Sequence, residues 1–263
     1  MRQSDLPSAL SNTELLGRIS REQPAFFLDY DGTLTPIVSR PEDAVMSEAM
    51  RGVVKELASH CRVSIVSGRD KRDVQHFVKL EELVYAGSHG FDISGPGGMQ
   101  MQNEEGKTYL PLLDQAQEKL NSLLSEIRGS QVERKKFSIA IHYRNAAEDD
   151  VPRIQQVVEE VHKQFPAFRR GFGKKVFELQ PNIEWDKGKA VLWLIDHLDL
   201  NRDGVLPFYI GDDLTDEDAF KAVRDRGVGI LVGDHGQDTN ASFALQGVPE
   251  VEAFLNKVIH TIA

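Results

Sequence analysis

A single cysteine in 263 residues leaves no partner for an internal disulfide. Packing must therefore hold the fold, and Cys61, beside the apolar run Val63 to Val66, reads as an ordinary half-buried thiol. No apolar stretch is long enough to cross a bilayer, and the first six residues lack the apolar run of a secretory leader. A cytoplasmic protein with no membrane partner is the expectation. Positive charge is scarce as well: the formal net charge is −10, so the bulk of the surface repels phosphate backbones and nucleic acid is not an expected partner. There is no internal repeat and no low-complexity tract. With 40% hydrophobic residues, the chain can bury a large core and still carry an inserted lid.

What the sequence does contain starts with Asp29 and Asp31. Phe26, Phe27 and Leu28 read as a short buried strand, and Gly32 with Thr33 supplies turn chemistry immediately after the aspartates. Two residues apart in an extended segment, the two carboxylates lie on one side of the chain, within reach of one ligand. Such crowding of negative charge calls for a cation. Mg²⁺ suits it, being hard, oxygen-seeking and commonly held by one or two carboxylates together with substrate phosphate.

Two further apolar runs end in the same way. Val63 to Val66 leads into Ser67-Gly68-Arg69, and Leu206 to Ile210 leads into Gly211-Asp212-Asp213-Leu214-Thr215-Asp216-Glu217-Asp218. Three strands thus deliver polar groups at their carboxyl ends, the edge at which open parallel α/β sheets bind ligands. Between them, Lys187 stands near the amino end of a helical segment, Ala190 to Leu198, where backbone amides favour anions. Arg69 reads as support for its loop.

Asp29-Tyr30-Asp31-Gly32-Thr33, Ser67, Lys187 and Gly211-Asp212-Asp213 resemble, in this order, the four motifs of the haloacid dehalogenase superfamily of aspartyl phosphotransferases. Tyr85-Ala86-Gly87-Ser88-His89-Gly90, His142-Tyr143-Arg144 and the extended run from Gly211 to Phe220 are similar, more narrowly, to the trehalose-6-phosphate phosphatase family. The resemblance covers all but about the first twenty residues, which carry no readable role. It implies that Asp29 attacks phosphorus and carries an aspartyl-phosphate, that Asp31 protonates the departing sugar oxygen and then deprotonates water, and that Ser67 and Lys187 hold the non-bridging oxygens. It implies Mg²⁺ held by Asp29, Asp31 through its backbone carbonyl, and Asp212. Asp213 and Asp216 are left open between ligation and support of the ligands. The substrate implied is trehalose 6-phosphate, with a functional link to a trehalose-phosphate synthase.

From Lys107 to Glu184 the pattern changes. Helical Leu112 to Ile127, strand-like Phe137 to Tyr143, helical Val151 to Phe165 and strand-like Val176 to Leu179 suggest two helices and about four short strands, a small α+β cap. This segment carries 13 Lys+Arg against 11 Asp+Glu, leaving −12 on the remainder. A locally basic cap and a bound cation would offset the repulsion that such a core exerts on a sugar phosphate. In the cap, the resemblance points to Glu133, Arg144, Lys174 and Glu178 as contacts to sugar hydroxyls, with the register of Lys174 against Lys175 open. In the core it points to His89 and Gly90 as substrate contacts. The alternation Ile139, Ile141, Tyr143 sets His142 and Arg144 on the opposite face, toward cleft or solvent.

The expected fold is a doubly wound, Rossmann-like α/β core formed by residues 1–106 and 185–263, with an α+β cap of residues 107–184 inserted. Gly227 to Gly233 reads as another core strand and Val251 to Ile262 as a closing helix. Hinges are expected near 104–108 and 182–186, with closure excluding bulk water from the phosphate. The expected activity is Mg²⁺-dependent hydrolysis of trehalose 6-phosphate. Its rivals are a related phosphatase for sucrose or glucosylglycerate phosphate, a phosphosugar mutase, and a non-catalytic sugar-phosphate sensor.

Overall fold

A computed structural model describes residues 2–173 and 175–263. The chain divides into two compact units, Met1–Met101 with Trp185–Ala263, and Gln102–Glu184. The smaller unit therefore begins at Gln102, five residues ahead of Lys107.

In the larger unit, β1 (Gln23–Leu28) is buried along its length after Gln23, as befits a central strand covered on both faces. β2 (Arg62–Val66) and β3 (Val84–Gly87) follow in parallel. β4 (Asp92–Gly95) runs antiparallel to β3, and β5 (Met99–Gln102) ends that edge. The smaller unit contributes β6 (Gln131–Lys135), β7 (Ser138–His142), β8 (Phe168–Gly173) and β9 (Val176–Pro181). The chain then returns with β10 (Val205–Gly211), β11 (Val228–Val232) and β12 (Phe243–Leu245). The large sheet has the order β12-β11-β10-β1-β2-β3-β4-β5, parallel from β12 through β3.

Nine α-helices lie among the described residues: α1 (Thr13–Ile19), α2 (Glu48–His60), α3 (Lys71–Val78), α4 (Glu104–Lys107), α5 (Leu110–Leu124), α6 (Val151–Gln164), α7 (Lys187–His197), α8 (Glu217–Val223) and α9 (Val248–Ile262). None is long and apolar enough to cross a membrane.

Alternation along the central strands feeds two separate cores. Phe26, Leu28, Phe208 and Ile210 point into a cluster with Val54 of α2 and Phe254 of α9, while Phe27 and Tyr209 join Val191 of α7 and Phe220 of α8. Phe26 and Phe208, opposite each other in register, stack at 4.7 Å. Helices thus cover both faces, and the doubly wound expectation holds. The first residues also find a place: Ser8 bridges Ala244 in parallel, Ala9 N–H donates to the Ala244 carbonyl and Ala244 N–H to that of Pro7, each at 3.0 Å. They cover the outer edge of β12, and α1 packs on α9.

The small unit is an antiparallel sheet, β6-β7-β9-β8, with α5 and α6. Leu113, Leu120, Ile139, Ile141, Val158 and Leu179 form its core. The residues between them on the strands face the other way. Across the sheet Glu133, Ala140, Glu178 and Gly171 stand in one row, with Lys135 opposite Ser138 and Arg169 opposite Gln180 in the next.

Candidate active site

Asp29, Ser67 and Asp212 each follow the last residues of a strand, at the carboxyl ends of the neighbouring strands β1, β2 and β10. Parallel register puts these ends side by side, so residues distant in sequence meet without any long loop. Lys187 opens α7, whose amino end is fixed by Asp186: its carboxylate accepts the Lys189 amide at 2.8 Å. Lys187 Nζ then donates to Asp29 Oδ1 at 2.8 Å and to Asp216 Oδ1 at 2.7 Å. All three side chains are buried.

Tyr209 on β10 donates its hydroxyl to the same Asp216 oxygen at 2.6 Å. The other oxygen, Oδ2, accepts the amides of Asp212 and Asp213 at 3.0 and 2.9 Å. With four donors Asp216 has its lone pairs occupied. Asp213 uses Oδ1 on the Leu214 amide at 2.8 Å, closing the turn that presents Asp216. These bonds tie both oxygens of Asp216 into the cluster and one oxygen of Asp213 into its turn.

Burial disfavours the charge on Asp29, and with Asp216 and Asp212 nearby it holds the carboxyl well above its ordinary range against the pull of Lys187. Burial opposes charge on Asp216 too, but there the Lys187 ammonium and the hydrogen bonds from Lys187, Tyr209 and the Asp213 amide win and bring it below. Burial works against the Lys187 ammonium, yet Asp216 and Asp29 outweigh it and raise its pKa well above the usual lysine value.

Carboxylate oxygens of Asp29, Asp212 and Asp216 lie within 4.8 Å of one another. Three buried carboxylates against one ammonium leave the cluster short of positive charge, which a divalent cation would supply. Since Asp216 is saturated, the oxygens suited to it are those of Asp29, whose Oδ2 accepts no hydrogen bond among the described residues, and of Asp212. Gly32 leaves room for this arrangement, because at φ +82° any Cβ placed there would collide with the Asp212 carboxylate.

Asp31 is placed differently from Asp29. Its two carboxylate oxygens accept from Nε and Nη2 of Arg69, each at 2.7 Å. Ser67 is buried, and its Oγ accepts the Arg69 amide at 3.1 Å, which leaves the hydroxyl proton for an anion. His89 is buried, with its ring against Gly68 and its amide donating to the Ser67 carbonyl at 2.9 Å. Ser88 and His89 both hold positive φ, 49° and 56°, a strained backbone of the kind found at ligand sites. Gly90 (φ +89°) is buried, and any side chain there would meet Ala190 of α7.

On the small unit's polar face Glu178 is 8% exposed. Its Oε1 accepts from Ser138 Oγ at 2.7 Å and Lys135 Nζ at 3.4 Å, and its Oε2 from Gln180 Nε2 at 2.6 Å. Glu133 pairs with His142 Nε2 at 2.6 Å. Arg144 lies exposed beyond the end of β7. Lys174 is outside the described residues. The sequence reading passed over Tyr209, Ser138 and Gln180, took Arg69 for loop support, and gave His142 no partner. Cross-strand pairing is the only signal that could have joined His142 to Glu133.

A family model described as trehalose-phosphatase matches residues 27–249. The chain belongs to the trehalose-phosphatase family. It is accordingly a phosphoric monoester hydrolase with the haloacid dehalogenase fold. Trehalose 6-phosphate phosphatase RA3 of Zea mays is 41% identical over 268 residues, spanning 96% of this chain and 74% of the relative. A trehalose-phosphate phosphatase of Mycobacterium marinum is 43% identical over 263 residues, 97% of this chain and 66% of its own. Among solved structures, a trehalose-6-phosphate phosphatase related protein, 26% identical, has a TM-score of 0.78 over 90% of this chain and 97% of that one. The C-terminal domain of Candida albicans trehalose-6-phosphate phosphatase, 23% identical, matches in fold with a TM-score of 0.85 over 97% and 98%.

Proposed function

We propose that this chain hydrolyses trehalose 6-phosphate to trehalose and phosphate through an aspartyl-phosphate on Asp29. The observation that carries the reading is the buried contact of Lys187 with both Asp29 and Asp216 at the strand ends: an oriented carboxylate beside a fixed ammonium, in a trehalose-phosphatase chain. An oxygen of Asp29 forms the new bond to phosphorus as the bond to the sugar oxygen breaks, and Asp31 gives that oxygen its proton. Water then loses a proton to Asp31 and displaces Asp29, releasing phosphate. Ser67 Oγ and Lys187 Nζ hold the non-bridging oxygens as charge shifts among them. Asp29 and Asp212 with the Asp31 carbonyl would hold Mg²⁺, which would supply charge neutralisation of the phosphate dianion.

Sugar recognition falls to Glu133 and Glu178, with His89 beside Ser67 and with Arg144 and Lys174 as further contacts. A buried carboxylate that already accepts from Ser138, Gln180 and Lys135 is held in one orientation, which suits it to accept from sugar hydroxyls. The small residues Ala140 and Gly171 flank Glu178 in that row. The test is phosphate release from trehalose 6-phosphate, sucrose 6-phosphate and glucose 6-phosphate, each with Mg²⁺ and with chelator. Trehalose 6-phosphate should lead by at least about tenfold in kcat/KM, and chelation should stop turnover. A leading sucrose phosphate would replace the substrate while keeping the chemistry, and inertness to all three would favour a sensor.

A further inference from the structure

Arg69 connects more of this site than any motif assigns to it. Its guanidinium forks onto both oxygens of Asp31 at 2.7 Å, and Nη2 also donates to the Pro41 carbonyl at 2.8 Å. The rings of Tyr30 and Phe77 lie 5.4 and 5.1 Å from its Cζ. Tyr30 is itself pinned, its hydroxyl donating to the Ala44 carbonyl at 2.8 Å. A planar cation held against two rings and tied to a carbonyl keeps one orientation, and lysine could not reproduce the fork. Asp31, in contrast, has a side chain 39% exposed, and no other described residue bonds its carboxylate.

The fork takes one lone pair on each oxygen of Asp31 and leaves the others for a proton. We propose that Arg69 is the positioning residue for Asp31: the fork holds this carboxylate in one orientation, from which Asp31 gives its proton to the sugar oxygen and takes one from water. The inference rests on the acid and base role given to Asp31 above. Arg69 touches no reacting atom in this scheme. Its effect on turnover passes through Asp31, which distinguishes it from a residue that simply holds the loop together.

The experiment is a double-mutant cycle on the full chain, R69K and R69Q each alone and combined with D31N, read with trehalose 6-phosphate and with p-nitrophenyl phosphate. The sugar alkoxide needs a proton to leave, whereas p-nitrophenolate does not. Each Arg69 substitution should lower kcat on the sugar phosphate by about tenfold or more with little change in KM, and lower it several-fold less on the aryl ester. In the D31N background the same substitution should cost less than about threefold. Equal losses on both esters, a loss confined to KM, no loss, or the full loss repeated in D31N would overturn the proposal. Should R69Q fail to fold, R69K decides, with its melting temperature measured first; collapse of both would mark Arg69 as structural and overturn it too. Wild-type protein inert toward both esters overturns the phosphatase reading and this one with it, while an active wild type with an additive cycle overturns this one alone.

Discussion

The strand ends of the large sheet and the polar face of the small one both bury carboxylates, but they compensate them differently. Asp29 and Asp216 share one ammonium, Lys187, in a site with more negative than positive charge. Glu178 is met by a hydroxyl, an amide and a distant lysine, and Glu133 by an imidazole. The first arrangement is under electrostatic tension that a phosphate and its cation can change. The second is satisfied as it stands and can exchange neutral hydrogen bonds with a sugar at little electrostatic cost. Chemistry and recognition are thus separated by type of compensation as well as by position in the chain.

The largest break in that comparison is Asp29→Asn. Turnover should fall by about a thousandfold or more because the amide is no nucleophile, yet the fold should persist, since Lys187 keeps Asp216 as its partner. Circular dichroism and a single-turnover assay check this; retention of more than a tenth of the activity would move the nucleophile elsewhere.

Glu178→Gln comes next. It keeps the shape and one acceptor while removing the charge, so KM for trehalose 6-phosphate should rise by about tenfold, with kcat changed far less. Steady-state kinetics on two sugar phosphates read it, and unchanged selectivity would detach Glu178 from the sugar.

The smallest effect concerns the cation and pH. A carboxyl raised by folding, as Asp29 is, binds more protons in the native state than in the unfolded one. Its contribution is therefore most favourable below the ordinary aspartate range and is lost as pH rises toward the elevated native value. Mg²⁺ reverses the tension by pairing with the ionised form, so the rise in melting temperature on adding it should be larger at neutral pH than in mild acid, by a few degrees. Glu178→Gln should leave that shift untouched, because its network holds no part of the cation site.

Much of the large unit was legible because its signals are local. Apolar runs ending in Asp29, Ser67 and Asp212 mark strand ends, and parallel pairing then brings those ends together without further information. Asp216 was not assignable, since spacing alone does not tell a ligand from an acceptor saturated by Lys187, Tyr209 and two amides. Arg69 escaped for a related reason: its partner lies 38 residues away and is reached by a fork, a matter of side-chain direction. β6 and β8 carry charged runs such as Glu133 to Lys135 and Arg169 with Arg170, so no apolar stretch announces them. The pairing of His142 with Glu133 follows only from the register of β6 on β7.

The strand-like start of the chain, Pro7 to Ala9, lies along β12 and takes up the hydrogen-bonding groups of Ala244. A parallel sheet that ended at β12 would offer a foreign strand a ready template there. By laying its own opening residues on that border the molecule denies lateral growth at one margin.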